Sequence, residues 1–225
     1  MGAGKIVLLV FGIIFILVAL TLLFGGGAAL WVNTKTDSDG YISSSTIDID
    51  RDSYAVVTGS IDIDEAALTA LEILGMATDW QVEGSNKDPS KGIFIGVAST
   101  SDVEAYFNDV AYDEIHFADV GWLNLRDVTY TSHRGSSAPS SPTSQIIWIE
   151  SEHGIGTQTM EWRTSVGSNS IVLMNDDGAA GIDLSAVVKV QIGTTIFAIG
   201  MGLLIGGIVV LTIGGFMVYF AVRRS

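Results

Sequence analysis

The stretch Val190–Val222, VQIGTTIFAIGMGLLIGGIVVLTIGGFMVYFAV, decides how the rest of the chain is read. It contains no Asp, Glu, Lys, Arg or His, and it is longer than the ~20 residues needed to cross a hydrocarbon core of roughly 30 Å. Its glycines at Gly193, Gly200, Gly207 and Gly214 recur every seven residues. On a helix of about 3.6 residues per turn that interval keeps one bare stripe facing one neighbour. A second apolar run, residues 6–32, carries Gly12, Ala19 and Gly26 at the same interval. Small residues on facing stripes let two backbones approach closely in lipid. The two runs are therefore predicted to pair as a transmembrane hairpin through these seven positions. Gly202 and Gly206 form a G-x-x-x-G on a different face of the second helix, suited to self-association or to another membrane protein.

Between the spans lie residues 33–189, one domain's worth of chain. All 25 acidic residues fall there with eight basic ones, a net charge of −17. Such a surface repels nucleic acid and anionic lipid, which excludes nucleic-acid partners. The absence of charge inside the spans argues against a pump or secondary transporter. With no cysteine, disulfides and thiolate metal sites are ruled out.

The first apolar run continues through Gly25–Ala29 to Trp31, past the ~7–15 residues of a cleavable signal, so it is read as a retained anchor. Lys5, Arg223 and Arg224 outweigh Lys35 and Lys189 at the span ends. The positive-inside rule then predicts a cytoplasmic N-terminus (1–5), a cytoplasmic tail (223–225) and an extracytoplasmic domain (33–189) in a cell membrane.

Inside the domain, Ile47 and Ile49 alternate with Asp48 and Asp50, and Ile61 and Ile63 with Asp62 and Asp64, the period of half-buried strands. Further strands are expected at 80–82, 92–97, 122–131, 146–150, 157–163, 171–175 and 182–188. Ser101–Glu104 reads as a capping box ahead of Val103, Tyr106, Phe107 and Val110, which predicts one short helix. Glu65–Leu74 suits helix or strand equally, and Ser132–Ser144, rich in serine and proline, reads as an exposed loop. The expected fold is a membrane-anchored, mainly-β protein: a two-helix transmembrane hairpin carrying an antiparallel β-sandwich-like domain with one short helix.

Several stretches carry a resemblance. Gly40-Tyr41, Ser53-Tyr54-Ala55, Phe94-Ile95-Gly96-Val97 with Asp102–Tyr106, Gly156-Thr157-Gln158-Thr159 with Trp162, and Val172–Gly178 together resemble a family of uncharacterised prokaryotic envelope proteins. The resemblance implies the same plan of helix, β-rich domain and helix over nearly the whole chain. It brings no activity, ligand or catalytic residue.

The candidate sites are few. Asp48-x-Asp50-x-Asp52 begins like a calcium loop, but Ser53 stands where the turn needs Gly and Gly59 where a bidentate Glu is required. Asp37 and Asp39 before Gly40, and Asp176 and Asp177 before Gly178, are better shaped, which makes calcium the one candidate cofactor; turn chemistry alone explains both stretches, so no cofactor is expected. His116, His133 and His153 match no metal-ligand spacing, and no nucleophile elbow, P-loop or dinucleotide fingerprint occurs. The reading that follows is a non-enzymatic envelope protein whose acidic external domain binds a partner or scaffolds a membrane assembly. Its partners are the lipid bilayer and another membrane or envelope protein, or a second copy. The alternatives are an extracytoplasmic hydrolase or metal-dependent enzyme, and an ion or ligand sensor acting through a partner.

Overall fold

The computed structural model of the chain describes residues 3–73, 76–117, 128–192 and 195–223. Two compact units result, a pair of long apolar helices and a mostly-β domain from Tyr41 to Gln191.

Helix α1 spans Ala3–Asn33 and α4 spans Thr195–Val222, and both are long and apolar enough to cross a membrane. They run antiparallel, with the Lys5 ammonium donating to the Arg223 carbonyl at 3.0 Å. Lys35 lies over the Trp31 ring and Arg223 over Tyr219, so cation–aromatic pairs mark corresponding ends of the two helices. Helix α4 starts later than the apolar run does. Val190–Ile192 belongs to the last strand instead, because Val188 and Val190 alternate with Lys189 and Gln191 and this segment pairs with Tyr41–Ser43.

The domain's elements follow in order: β1 (Tyr41–Ser43), β2 (Ile47–Arg51), β3 (Ala55–Thr58), β4 (Ile61–Ile63), α2 (Glu65–Ile73), β5 (Met76–Asn86), β6 (Gly92–Ser99), α3 (Thr100–Tyr106), β7 (Tyr112–Phe117), β8 (Val128–His133), β9 (Glu150–Ile155), β10 (Gln158–Arg163), β11 (Gly167–Asn175) and β12 (Ile182–Ile192). They make two sheets. In the five-stranded one, β1 and β2 pair in turn along β12, and β5 and β10 follow; the seven-stranded one runs β8-β7-β3-β11-β6-β9 with β4 also on β11. Short connections at 87–91, 156–157 and 176–181 carry the chain from one sheet to the other. The β3–β7 pairing departs from the antiparallel expectation: these strands are parallel, with Val56 opposite Asp113. A parallel pair needs a long crossover, and the chain between these strands, containing both short helices, supplies it.

The core lies between the sheets. Ile93, Ile95 and Val97 of β6 are wholly buried. Gly84 lets β5 close onto them, since a Cβ there would stand 2.8 Å from the Ile93 Cδ1. The other face of β6 is covered as well: Phe94 meets Trp148 at 4.9 Å and Trp148 meets Tyr106 of α3 at 5.8 Å. A strand buried on both faces reads as a continuous apolar run, which is what Gly92–Ala98 is.

Local details differ from the sequence reading for identifiable reasons. The ambiguous 65–74 stretch is helical over Glu65–Ile73, begun by the Asp64 carboxylate accepting the Ala67 amide at 2.7 Å; Leu74 lies outside the described residues. The cap of α3 is Ser99, two residues before the expected Ser101. Its hydroxyl accepts the Asp102 amide at 3.1 Å and donates to that residue's carboxylate at 2.6 Å. The strand expected at 146–150 starts only at Glu150, because Trp148 turns onto Phe94 and donates its indole N–H to the Pro142 carbonyl at 2.8 Å. Of the 122–131 strand, residues 122–127 lie outside the described residues.

The 132–144 segment is exposed but tethered. Asp109, at φ +61, accepts from the Ser136 and Ser137 hydroxyls at 2.7 and 2.8 Å, and Tyr106 donates to the Ser140 carbonyl. Only glycine fits at Gly135, where a Cβ would overlap the Asp109 and Val110 backbone.

Candidate functional site

In the helix pair, Gly12, Ala19 and Gly26 are buried residues of α1, and Gly200, Gly207, Gly214 and Ala221 are buried residues of α4. A Cβ on Gly26 would come 2.8 Å from the Gly200 carbonyl oxygen, and one on Gly214 would come 3.0 Å from the Gly12 carbonyl oxygen. On Gly207 it would meet Leu23 at 2.9 Å. At these points backbone lies on backbone. Gly202 and Gly206 are different, with no atom within 4 Å of an added Cβ, so they face away from α1. Gly193 lies outside the described residues.

In the domain, the residues that converge are on the β7–β8 hairpin at the edge of the larger sheet. Period-2 alternation puts Tyr112, Glu114 and His116 on one face of β7 and Asp113 on the other. Asp113, only 3 % exposed, takes both arms of the Arg51 guanidinium at 2.8 and 3.0 Å and a hydrogen bond from the Ser132 hydroxyl. Arg51 holds this carboxyl down to about 2 against the upward push of burial, with the Ser132 and Ser53 hydroxyls assisting. The Arg51 guanidinium also lies 4.7 Å from the Tyr130 ring centroid. A groove of about 690 Å³ beside this pair is bordered by Asp50, Asp52, Tyr112, His133 and Arg134.

On the opposite face, Glu114 is the centre. His133 Nε2 is 3.1 Å from one of its oxygens and His116 Nε2 3.8 Å from the other. His133 also lies flat on the Tyr112 ring, with centroids 4.3 Å apart. His116 contacts the Thr131 hydroxyl at 3.0 Å. Beyond Glu114 opens a narrower cleft of about 220 Å³ whose walls include Ser60, Thr100, Glu104, Tyr112, Glu114 and Ser170. Burial, and then the charges of Glu114 and Glu104, raise the Tyr112 phenol above its ordinary value.

The three histidines do not share a site. His153 is on β9, at the other edge of the same sheet, four strands from His116 and five from His133. At about 4.8 Å per strand this is roughly 20 Å, too far for one ion. Among the described residues no group of three or more His, Asp or Glu is disposed to hold a metal ion.

The calcium candidates are engaged in turns. The Asp37 carboxylate accepts the Asp39 amide at 3.0 Å, with Gly40 at φ +84. Asp177 accepts the Ala179 amide at 2.9 Å, with Gly178 at φ +73. Asp176 sits against Gly92, whose hydrogen leaves space that a Cβ would fill. Asn175, 1 % exposed, secures the same turn: its amide donates to the Ala179 and Gly181 carbonyls at 2.9 and 3.1 Å while its oxygen accepts from Asn86.

Sequence reasoning missed the Glu104 and Glu114 cleft. The signal that could have found it is Tyr112-x-Glu114-x-His116, three functional side chains at the spacing of one strand face. Compared with known proteins, the chain matches no family model and no curated protein. Fold and site together define a class in structural terms: a two-sheet β domain between two helices able to cross a membrane.

Proposed function

We propose that the chain is a two-pass membrane protein of the cell envelope that acts without enzymatic chemistry, its acidic external domain binding a partner or scaffolding a membrane assembly. Both termini lie in the cytoplasm and residues 33–189 outside, as the charges of Lys5, Arg223 and Arg224 favour. The observation that carries the reading is the second small-residue face of α4. The stripe at Gly200, Gly207 and Gly214 is occupied by α1, whereas Gly202 and Gly206 are bare and turned away from it. That leaves room for a further helix, from another membrane protein or a second copy, at close backbone distance.

The test is purification of the tagged full chain from its own membranes in mild detergent, beside a Gly202→Leu/Gly206→Leu variant. A companion, or a second copy, at fixed stoichiometry is expected for the parent chain and not for the variant. A solitary monomer, or an assembly indifferent to the double substitution, would refute the reading. Protease added outside intact cells should cut the exposed 134–138 segment and spare a tag placed before Lys5.

A further inference from the structure

We propose that α4 carries a site for one anionic phospholipid, with an acyl chain lying in a groove near the helix's C-terminal end and the phosphate on Arg223. The groove, of about 340 Å³, is walled by Thr212, Gly215, Phe216 and Tyr219. These positions stand at i, i+3, i+4 and i+7, so they share one face of the helix. At about 1.5 Å per residue the slot runs roughly 10 Å along the axis. Gly215 is its floor, with no atom within 4 Å of an added Cβ, and the exposed rings of Phe216 and Tyr219 are its raised sides. The Thr212 hydroxyl spends its proton on the Ile208 carbonyl at 2.7 Å, so the slot is offered no donor there.

Charge stands at the end of this slot. The Arg223 guanidinium lies 5.9 Å from the centroid of the Tyr219 ring, the same ring that walls the groove. A guanidinium resting on an aromatic face keeps the N–H groups around its edge for an anion, and their fork matches two phosphate oxygens. The backbone beneath is held at both its polar groups. Arg223 N–H donates to the Tyr219 carbonyl at 2.9 Å, and the Arg223 carbonyl accepts the Lys5 ammonium at 3.0 Å. Lys5 thereby offsets the negative end of the helix, which would otherwise repel a phosphate. No Asp or Glu occurs in residues 1–33 or 190–225, so neither helix supplies Arg223 with a carboxylate. A cation at the mouth of an apolar slot is complementary to a molecule with an anionic head and a methylene chain.

The occupant differs from the one that fits Gly202 and Gly206. A second helix seeks paired small residues that admit its backbone, whereas a single Gly215 beside two rings admits something as thin as an acyl chain. This inference rests on the reading of α1 and α4 as membrane-spanning and does not depend on the partner proposed for Gly202 and Gly206.

The experiment is native mass spectrometry of the full chain in mild detergent, titrated with dioleoyl phosphatidylglycerol or with dioleoyl phosphatidylcholine, which has the same chains and phosphate but no net charge. One phosphatidylglycerol per chain is expected to bind about fivefold tighter or more than phosphatidylcholine, the scale of one basic side chain at a membrane surface. Arg223→Gln should bring the two lipids to within about twofold of each other. Gly215→Leu, which fills the floor without meeting another residue, should weaken phosphatidylglycerol about fivefold or more and leave the Tm unchanged, whereas Gly202→Leu, on another face, should leave lipid binding as it is. Equal binding of the two lipids by the parent chain, indifference to Arg223→Gln, or parent-strength binding by Gly215→Leu would each overturn the proposal, as would a Gly215→Leu chain that loses a second copy or a companion protein in place of a lipid. Alkaline extraction of the native membranes separates this inference from the reading it rests on. A chain that stays in the membrane but shows no lipid preference overturns the lipid site alone, and a chain that is released overturns the membrane reading as well.

Discussion

The helix pair and the β domain achieve close contact by opposite means. Between α1 and α4, contact depends on what is missing: Gly26 faces Gly200 and Gly12 faces Gly214 with barely the room for a hydrogen. Between the sheets it depends on what is present, a fill of Ile, Val, Phe, Met and Trp side chains in which Phe94, Ile93, Ile95 and Met160 are at most 1 % exposed. In lipid there is little solvent-driven gain from bringing apolar side chains together, so backbone proximity and dispersion remain. In water the burial of those side chains is itself the driving force. One unit should therefore suffer most when atoms are added and the other when atoms are removed.

The largest effect is expected from removing atoms in the domain. Phe94→Ala deletes a ring enclosed by Trp148 and the core, and should cost the domain about 3–5 kcal/mol. Tryptophan fluorescence during denaturation would show this, while the helical circular dichroism of the long helices persists. A simultaneous collapse of both signals would mean that the two units do not answer separately.

Next comes Asp113→Asn, which leaves the Arg51 guanidinium without its bidentate partner and should cost about 2–3 kcal/mol at neutral pH. Its pH dependence has a fixed sign. The folded carboxyl titrates near 2 against an ordinary 3.8, so the stabilisation is complete above about pH 5 and lost as the pH falls toward 2. The Tm gap between parent and variant should therefore be flat above about pH 5 and close on acidification. A gap that widened in acid would contradict the assignment.

Smaller, but the sharpest on the comparison, is the effect of adding atoms between the helices. Gly200→Leu and Gly207→Leu should each loosen the helix pair by roughly 1–3 kcal/mol, whereas Gly202→Leu, with nothing within 4 Å, should leave it within about 0.5. Thermal stability in detergent measures all three. Unchanged stability for both Gly200→Leu and Gly207→Leu would break the contrast.

How much of this could be read from the chain depended on how local each signal was. The helices were legible because length, apolarity and a seven-residue glycine interval are properties of single segments. Most strands were legible for the same reason, Ile47–Asp50 and Gly92–Val97 most clearly. Pairing was not: nothing near Val56 announces Asp113 as its parallel neighbour, or near Ile47 announces Ala186. The start of α4 was missed because an apolar run satisfies a strand as well as a helix, and Tyr41–Ser43 decided in favour of the strand. The cleft at Glu104 and Glu114 was missed because its walls come from four separate segments that only the sheet order brings together.

That sheet order also sets a schedule. Asp48 of β2 and Ser185 of β12, joined by a hydrogen bond of 3.0 Å, are separated by 137 residues of chain. At roughly 5–20 residues per second, β1 and β2 leave the ribosome several seconds before the strand they pair with exists. During that interval their edges are open to any other extended chain, and the Asp48 and Asp50 charges beside Ile47 and Ile49 are the feature that discourages it. The acidic alternation that looks like a failed calcium loop thus has a use in time: it keeps an early strand soluble until its late partner arrives.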